Sequence, residues 1–147
     1  MSGYVTFQLG AHAMACPLED VREVVRLVAP RDLPGLDAPV SGVIELRGVP
    51  LPLVDVREAR GGRGDVLVVQ TEHLGVVVDR VTAVLGPDEL SACEIPRDRL
   101  PGYVRGALQR SSDGAPLLLV DLRTLAEAGY RADETCPSLP SPPTTTG

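Results

Sequence analysis

The sequence predicts a mainly β, all-β-class protein built of two similar small β-barrels packed together, with short helices. Three observations carry that expectation. Short apolar runs alternate with Gly- and Pro-marked turns along most of the chain. Val and Leu dominate the apolar set, with one Phe and no Trp, a composition that suits strands better than helices. A ten-residue stretch of the first half recurs in the second, the mark of two copies of one small unit.

Tyr4 to Leu9 alternates, with Val5, Phe7 and Leu9 on one face, and reads as a half-buried strand. Gly10 and Ala11 turn the chain into a second strand, His12 to Leu18. From Asp20 to Val28 the Val spacing fits either a short helix or an extended segment, and one helical turn leading into a strand reconciles the two. Pro30, Pro34, Gly35 and Pro39 mark a loop. Val43 to Arg47 is a strand with Ile44 and Leu46 on one face and Glu45 and Arg47 on the other, and Gly48 turns it. Val49 to Val56 runs back, and Pro50 and Pro52 suit an edge strand. The Gly-rich segment from Ala59 to Gly64 is a joint between halves. Val66 to Val69 and Leu74 to Val78 form a hairpin, and Val81, Val84 and Leu85 continue the apolar pattern until Gly86-Pro87-Asp88 breaks it. Tyr103 to Leu108 and Pro116 to Val120 pair around Ser111-Ser112-Asp113-Gly114. Asp121 caps a short helix from Leu122 to about Ala128. Residues 129–147 are rich in Pro, Ser and Thr and are expected to be a disordered tail. The ordered part, 1–128, divides into subdomains of roughly 1–60 and 61–128.

The repeat gives this order its meaning. Gly48-Val49-Pro50-Leu51-Pro52-Leu53-Val54-Asp55-Val56-Arg57 matches Gly114-Ala115-Pro116-Leu117-Leu118-Leu119-Val120-Asp121-Leu122-Arg123 at seven of ten positions. Gly42 and Gly106 are the upstream counterparts, two residues out of step, so the second turn is longer by two. Apolar composition alone does not explain the matched Gly, Asp and Arg. Asp55 and Asp121 are expected to cap helices, not to act as catalysts.

Composition excludes several functions. The chain of 147 residues carries 14 basic and 20 acidic residues, for a net charge of −6, and every basic residue is a scattered Arg. Nucleic acid and anionic membrane need clustered positive charge, so neither is expected as a partner. No apolar run reaches the roughly 20 residues that cross a bilayer, and no signal-peptide pattern opens the sequence, so a cytoplasmic location is expected. Cys16, Cys93 and Cys136 form neither a disulfide framework nor a zinc pattern, and no metal or cofactor is expected. A hydrolase using Cys16 or a Ser with His12 or His73 is a remote alternative. His12 and Cys16 are four apart, about 13 Å along a strand, too far for a hydrogen bond. No catalytic residue is assigned.

The same segments resemble the CheW family of chemotaxis coupling proteins, from about Tyr4 to Leu125. The resemblance rests on Phe7-Gln8-Leu9-Gly10, on Val21-Arg22-Glu23-Val24, and on Gly42 through Gly48, Pro52 and Asp55-Val56-Arg57. It continues with Gly75-Val76-Val77-Val78-Asp79-Arg80-Val81, Tyr103-Val104-Arg105-Gly106 and Val120-Asp121-Leu122. It implies two five-stranded SH3-like barrels. It also implies a non-catalytic adaptor, without cofactors, that bridges the regulatory domain of a CheA-type histidine kinase to the cytoplasmic tip of methyl-accepting chemoreceptors, at membrane-associated receptor arrays. By resemblance, Val21, Glu23, Gly42 and Arg47 fall where the receptor tip is engaged, and Gly75 and Val84 where kinase and receptor partners touch the second barrel.

Two departures from the family pattern stand out. Glu45 replaces a usual Asn beside Arg47 and is positioned to pair with it. The joint from Ala59 to Asp65 is shorter than usual. An adaptor for a kinase–receptor set controlling pili, gliding or gene expression is the alternative reading that either change would favour. Taken as residues alone, Arg47 is open to two readings, a bidentate contact to a partner carboxylate or an internal pair with Glu45 or Glu23, and the resemblance favours the contact.

Overall fold

The computed structural model describes residues 3–27, 42–58, 63–94, 96 and 100–135. Among these residues the chain forms eleven strands, two short 3₁₀ turns and one α-helix. The strands are β1 (Tyr4–Leu9), β2 (His12–Pro17), β3 (Val21–Arg26), β4 (Gly42–Leu46), β5 (Val49–Asp55), β6 (Asp65–Val69), β7 (Gly75–Val78), β8 (Arg80–Leu85), β9 (Leu90–Cys93), β10 (Val104–Arg110) and β11 (Pro116–Val120), followed by α1 (Leu122–Thr135). The ambiguous segment resolves as a 3₁₀ turn, Leu18–Asp20, leading into β3. The expected loop around Pro30 to Pro39 and most of the Ala59–Gly64 joint lie outside the described residues.

Two sheets form, in the orders β8-β1-β2-β11-β10-β9 and β3-β6-β7-β5-β4. The mainly β architecture is as expected, with one sheet of five strands and the other of six. The sixth is β9, for which Leu90-Ser91-Ala92-Cys93 gives little signal because only Leu90 is buried.

The repeat is real in three dimensions. Gly48 and Gly114 both adopt positive φ, 80° and 74°. Gly42 lies opposite Leu53 in β4–β5, and Gly106 lies opposite Leu119 in β10–β11. Strand β5 pairs in parallel with β7, and β11 pairs in parallel with β2. The hairpins β6–β7 and β1–β2 are therefore counterparts, as are the strands outside them, β3 and β8. The match extends to an irregularity. The register skips Arg22 between Val21 and Glu23, and skips Thr82 between Val81 and Ala83.

The halves do not divide the chain near residue 60, as the sequence suggested. Residues 21–78 make one sheet, and the second is assembled from residues 80–120 together with the N-terminal hairpin β1–β2. Among the described residues no hairpin follows β11, and the start of the chain supplies the second unit's hairpin. The physical reason this escapes sequence reading is that strand pairing is non-local, whereas alternation reports only which face is buried.

Three apolar clusters follow from this arrangement. Ile44, Leu51, Leu53, Val66, Val68 and Val77 fill the inside of the five-stranded sheet. Tyr4, Ala15, Leu90, Leu108 and Leu117 fill the inside of the six-stranded sheet. The largest cluster lies between them, where Val5, Phe7, Met14 and Cys16 meet Leu67, Val69, Val76 and Val78, closed by Leu122 and Leu125 of α1. The central hairpins are thus buried on both faces, and β1 is not the half-buried strand expected: Tyr4 and Thr6 are inside as well.

Two further expectations are corrected. Strand β5 is interior, between β4 and β7, not an edge. Its prolines are tolerated because pairing with β7 begins only at Leu53, beyond Pro50 and Pro52. Helix α1 runs to Thr135, seven residues into the expected tail. Glu127, Ala128, Arg131 and Ala132 favour helix, and Pro137 disfavours it at the residue before. Residues 136–147 lie outside the described residues.

Candidate functional site

The candidate surface is built from the bulged strand β3 and the β4–β5 turn. Leu46 pairs with Val49, leaving Arg47 and Gly48 as a two-residue turn, both at positive φ, 52° and 80°. That geometry is a type I′ turn, which favours Asn or Gly at its first position. Arg47 holds it as a non-glycine residue in the left-handed region, a strained conformation of the sort that collects at functional sites.

Its side chain is 72% exposed and grips Glu23 with two hydrogen bonds, Nη1 to Oε2 at 2.6 Å and Nη2 to Oε1 at 2.7 Å. The hydrogen bond from Arg47 holds the Glu23 carboxyl below the usual glutamate range, and the same bond raises the Arg47 guanidinium. Glu45, the neighbour expected to compete, does not take this role. Strands β3 and β4 end opposite sides of the five-strand ladder, so a contact between Glu23 on β3 and Arg47 on the turn after β4 requires the sheet to curl on itself, as a barrel does.

The six residues singled out from sequence do not form one surface. Arg47 and Glu23 meet. Val84 is 60% exposed on β8. Val21, the first residue of β3, and Gly42, the first of β4, are buried. Gly75 is buried in the core, where a Cβ would stand 2.6 Å from Val66 Cγ1 and 2.8 Å from Leu53 Cδ2. It presents no surface for a partner, and its role is close packing. Sequence reading missed Val24, exposed on β3 at the position equivalent to Val84, one residue past the matching skipped pair. Aligning Val21-Arg22-Glu23-Val24 with Val81-Thr82-Ala83-Val84 would have found it.

A cleft of about 380 Å³ opens where the two sheets meet. Val69, Leu119 and Leu122 line it, with Asp20, Asp121 and Arg105 among its polar groups. Asp121 caps α1 as expected: its Oδ1 accepts the Arg123 N–H at 3.3 Å and its Oδ2 the Thr124 hydroxyl at 3.0 Å. Arg105 Nη2 adds a 2.6 Å bond to Oδ2. Burial works to raise the Asp121 carboxyl, and the bonds from Arg105 and Thr124 outweigh it and bring it down.

The repeat partner of Asp121 behaves differently. Asp55 caps no helix among the described residues. It receives the Arg57 backbone N–H at 3.1 Å, Nε at 2.9 Å and Nη2 at 2.8 Å in a buried pair, while Arg57 Nη1 reaches the Arg63 carbonyl at 2.9 Å. The sequence expectation failed here because both Asp residues make the same local bond to residue i+2, and only Asp121 is followed by a described helix.

Cys16 is a core residue. It is fully buried, and burial pushes its thiol to about 12, so it is not a nucleophile at neutral pH. Among the described residues no cluster of three His, Cys, Asp or Glu side chains is arranged to hold a metal ion, and no helix is long and apolar enough to cross a membrane.

The geometry agrees with comparisons to known proteins. A chemotaxis protein CheW of Treponema pallidum (strain Nichols) is 26% identical over 138 residues, covering 82% of this chain and 79% of that protein. The crystal structure of the scaffolding protein TtCheW from Thermoanaerobacter tengcongensis superposes with a TM-score of 0.64 at 21% identity, over 85% of this chain and 88% of that one, and shares the fold. The family model of the CheW-like domain matches residues 3–129, nearly all of the described chain, and the protein belongs to the CheW-like domain family.

Proposed function

We propose that the chain is a non-catalytic adaptor that couples the regulatory domain of a CheA-type histidine kinase to the cytoplasmic tips of methyl-accepting chemoreceptors. It would act in the cytoplasm, at membrane-associated receptor arrays. The observation that carries the reading is the Glu23–Arg47 pair. A guanidinium is held by two bonds on a strained, exposed turn, at the positions where resemblance puts the receptor contact. A planar fork presented this way can exchange an internal carboxylate for a partner's without rebuilding the turn. The second surface is β8 with exposed Val84, an apolar spot on an outer strand of the six-stranded sheet that fits a packed contact with the kinase domain.

A binding titration tests the reading. The purified protein is mixed with the kinase regulatory domain of the same organism and, separately, with a receptor signalling fragment. Micromolar binding to the fragment that Arg47→Glu abolishes, with the fold intact by circular dichroism, is the expected result. Binding to neither partner would overturn the adaptor reading and leave the two-sheet fold standing.

A further inference from the structure

The β4–β5 hairpin that carries Arg47 projects past the strand beside it. Strand β5 begins to pair with β7 only at Leu53, so Val49 to Pro52 have no ladder partner in β7. Ile44 and Leu51 root the hairpin in the core, while Val49 at its tip is 49% exposed. Pro50 adds a polar requirement. Leu46 and Val49 flank the two-residue turn as its closing, hydrogen-bonded pair, so the next pair, Glu45 and Pro50, is a non-bonded one. The Pro50 carbonyl therefore points away from β4, towards a place that β7 has not yet reached.

His73 fills that place. Counting back from the Leu53–Gly75 pair brings His73 level with Leu51, next to Pro50, and its Nε2 bonds the Pro50 carbonyl. A carbonyl only accepts, so Nε2 carries the proton and donates. The footing of His73 is itself held, because its neighbour Glu72 bonds Arg123 in the first turn of α1 at 2.6 Å. The hairpin tip is thus tethered from both sides, by Glu23 of β3 through Arg47 and by His73 of the β6–β7 tip through Pro50.

We infer that His73 is a positioning residue for the Arg47 contact: by holding the Pro50 carbonyl, it keeps the strained turn in place when Arg47 leaves Glu23 for a partner's carboxylate. The inference rests on the adaptor reading, which supplies the contact, and adds the residue that pre-organises it. Binding acts differently on the two tethers. A partner that takes the guanidinium breaks the Glu23 tether, whereas the His73 tether runs to backbone and is left intact. With it, the exchange gives up two hydrogen bonds and gains two on a turn that stays ordered. Without it, the partner must also order a projecting hairpin end, and that entropy comes out of the affinity.

His73→Ala and His73→Gln test this, since the Gln amide can place a donor where the imidazole Nε2 stands and Ala cannot. His73 is exposed, so both variants are expected to unfold at the parent's midpoint. Isothermal titration is run on the full chain against the receptor signalling fragment and, in parallel, against the kinase regulatory domain. Backbone order parameters of Arg47, Gly48 and Val49 are measured by NMR in the free chain. The expected result is about five-fold weaker binding of His73→Ala to the fragment, the scale of one hydrogen bond, with kinase-domain binding unchanged. Order parameters at the turn should fall in His73→Ala, and His73→Gln should restore both readouts. Equal affinity of His73→Ala and the parent for the fragment overturns the inference. So does a loss that His73→Gln shares, which would make the imidazole itself the contact. Failure of the parent chain to bind either partner would instead overturn the adaptor reading beneath it, while unchanged order parameters in His73→Ala would show by themselves that the turn needs no such tether.

Discussion

Glu23 lies on β3 and Arg47 on the turn after β4, at opposite ends of a five-strand ladder, yet two hydrogen bonds of 2.6 and 2.7 Å join them. That contact closes the curl of the sheet, and it fixes the direction of the exposed Arg47 side chain on its strained turn.

The pair should be visible in titration. Arg47 depresses the Glu23 carboxyl, so its contribution to stability is complete above the ordinary glutamate value and is lost as pH falls through the lowered folded value. In Arg47→Ala, carboxyl chemical shifts should show Glu23 titrating at higher pH than in the parent. An unchanged Glu23 curve would mean that the pair does not persist in solution.

Arg47→Gly should separate binding from stability. Glycine accepts the left-handed turn without strain, so the unfolding midpoint is expected to hold or rise while receptor-fragment binding falls. A lowered midpoint in thermal unfolding would show that the ion pair outweighs the backbone strain.

Arg57 and Arg123 occupy matched positions of the repeat and should respond to very different degrees. The Arg57–Asp55 pair is almost wholly enclosed, with side chains 2% and 9% exposed. Removing one member leaves a buried charge, so Arg57→Ala should cost about 3–5 kcal/mol in urea unfolding. The Arg123–Glu72 pair lies open to solvent, at 60% and 41% exposure, and Arg123→Ala should cost under about 1 kcal/mol. Similar losses for the two would contradict the burial difference.

Gly75 and Val84 stood together as contact residues by sequence, and mutation should divide them. Gly75→Ala forces a methyl against Val66 and Leu53 and should destabilise by about 1–3 kcal/mol, with any binding loss following the loss of fold. Val84→Asp should change stability by no more than about 0.5 kcal/mol and weaken binding to the kinase regulatory domain. Full kinase binding by Val84→Asp would remove β8 from the contact surface.

Thiol labelling offers a check on the central core. With Cys136 replaced by Ser, native alkylation should modify the partly exposed Cys93 and spare Cys16, whose thiol ionises only near 12. Rapid labelling of Cys16 at neutral pH would mean that the core between the sheets opens readily.

The strands and their turns were largely legible in the sequence, because period-two alternation and Gly turns are local signals. The repeat was legible too: the Gly48 and Gly114 pair that suggested it shares one backbone conformation. Glu23 and Arg47 could each be named from their motif. Their mutual contact could not, since Glu45 was nearer in sequence and only the curl of the sheet brings β3 to the β4–β5 turn. Gly75 was placed at a contact by resemblance, and a glycine's identity alone does not tell whether its missing side chain serves close packing or exposure. Asp20 gave no signal at all, as its environment is assembled from β6, β11 and α1.

By itself, the sequence determined that this chain folds as two copies of one β unit, and it placed the residues of each strand on their faces. Tertiary structure alone decided that the N-terminal hairpin completes the second unit, that the two sheets share a central core, and that Asp20 and Asp121 face one cleft. The reason is physical. Side-chain alternation and turn chemistry act over a few residues, while strand pairing and charge environment depend on groups far apart in the chain, which only the packed fold brings together.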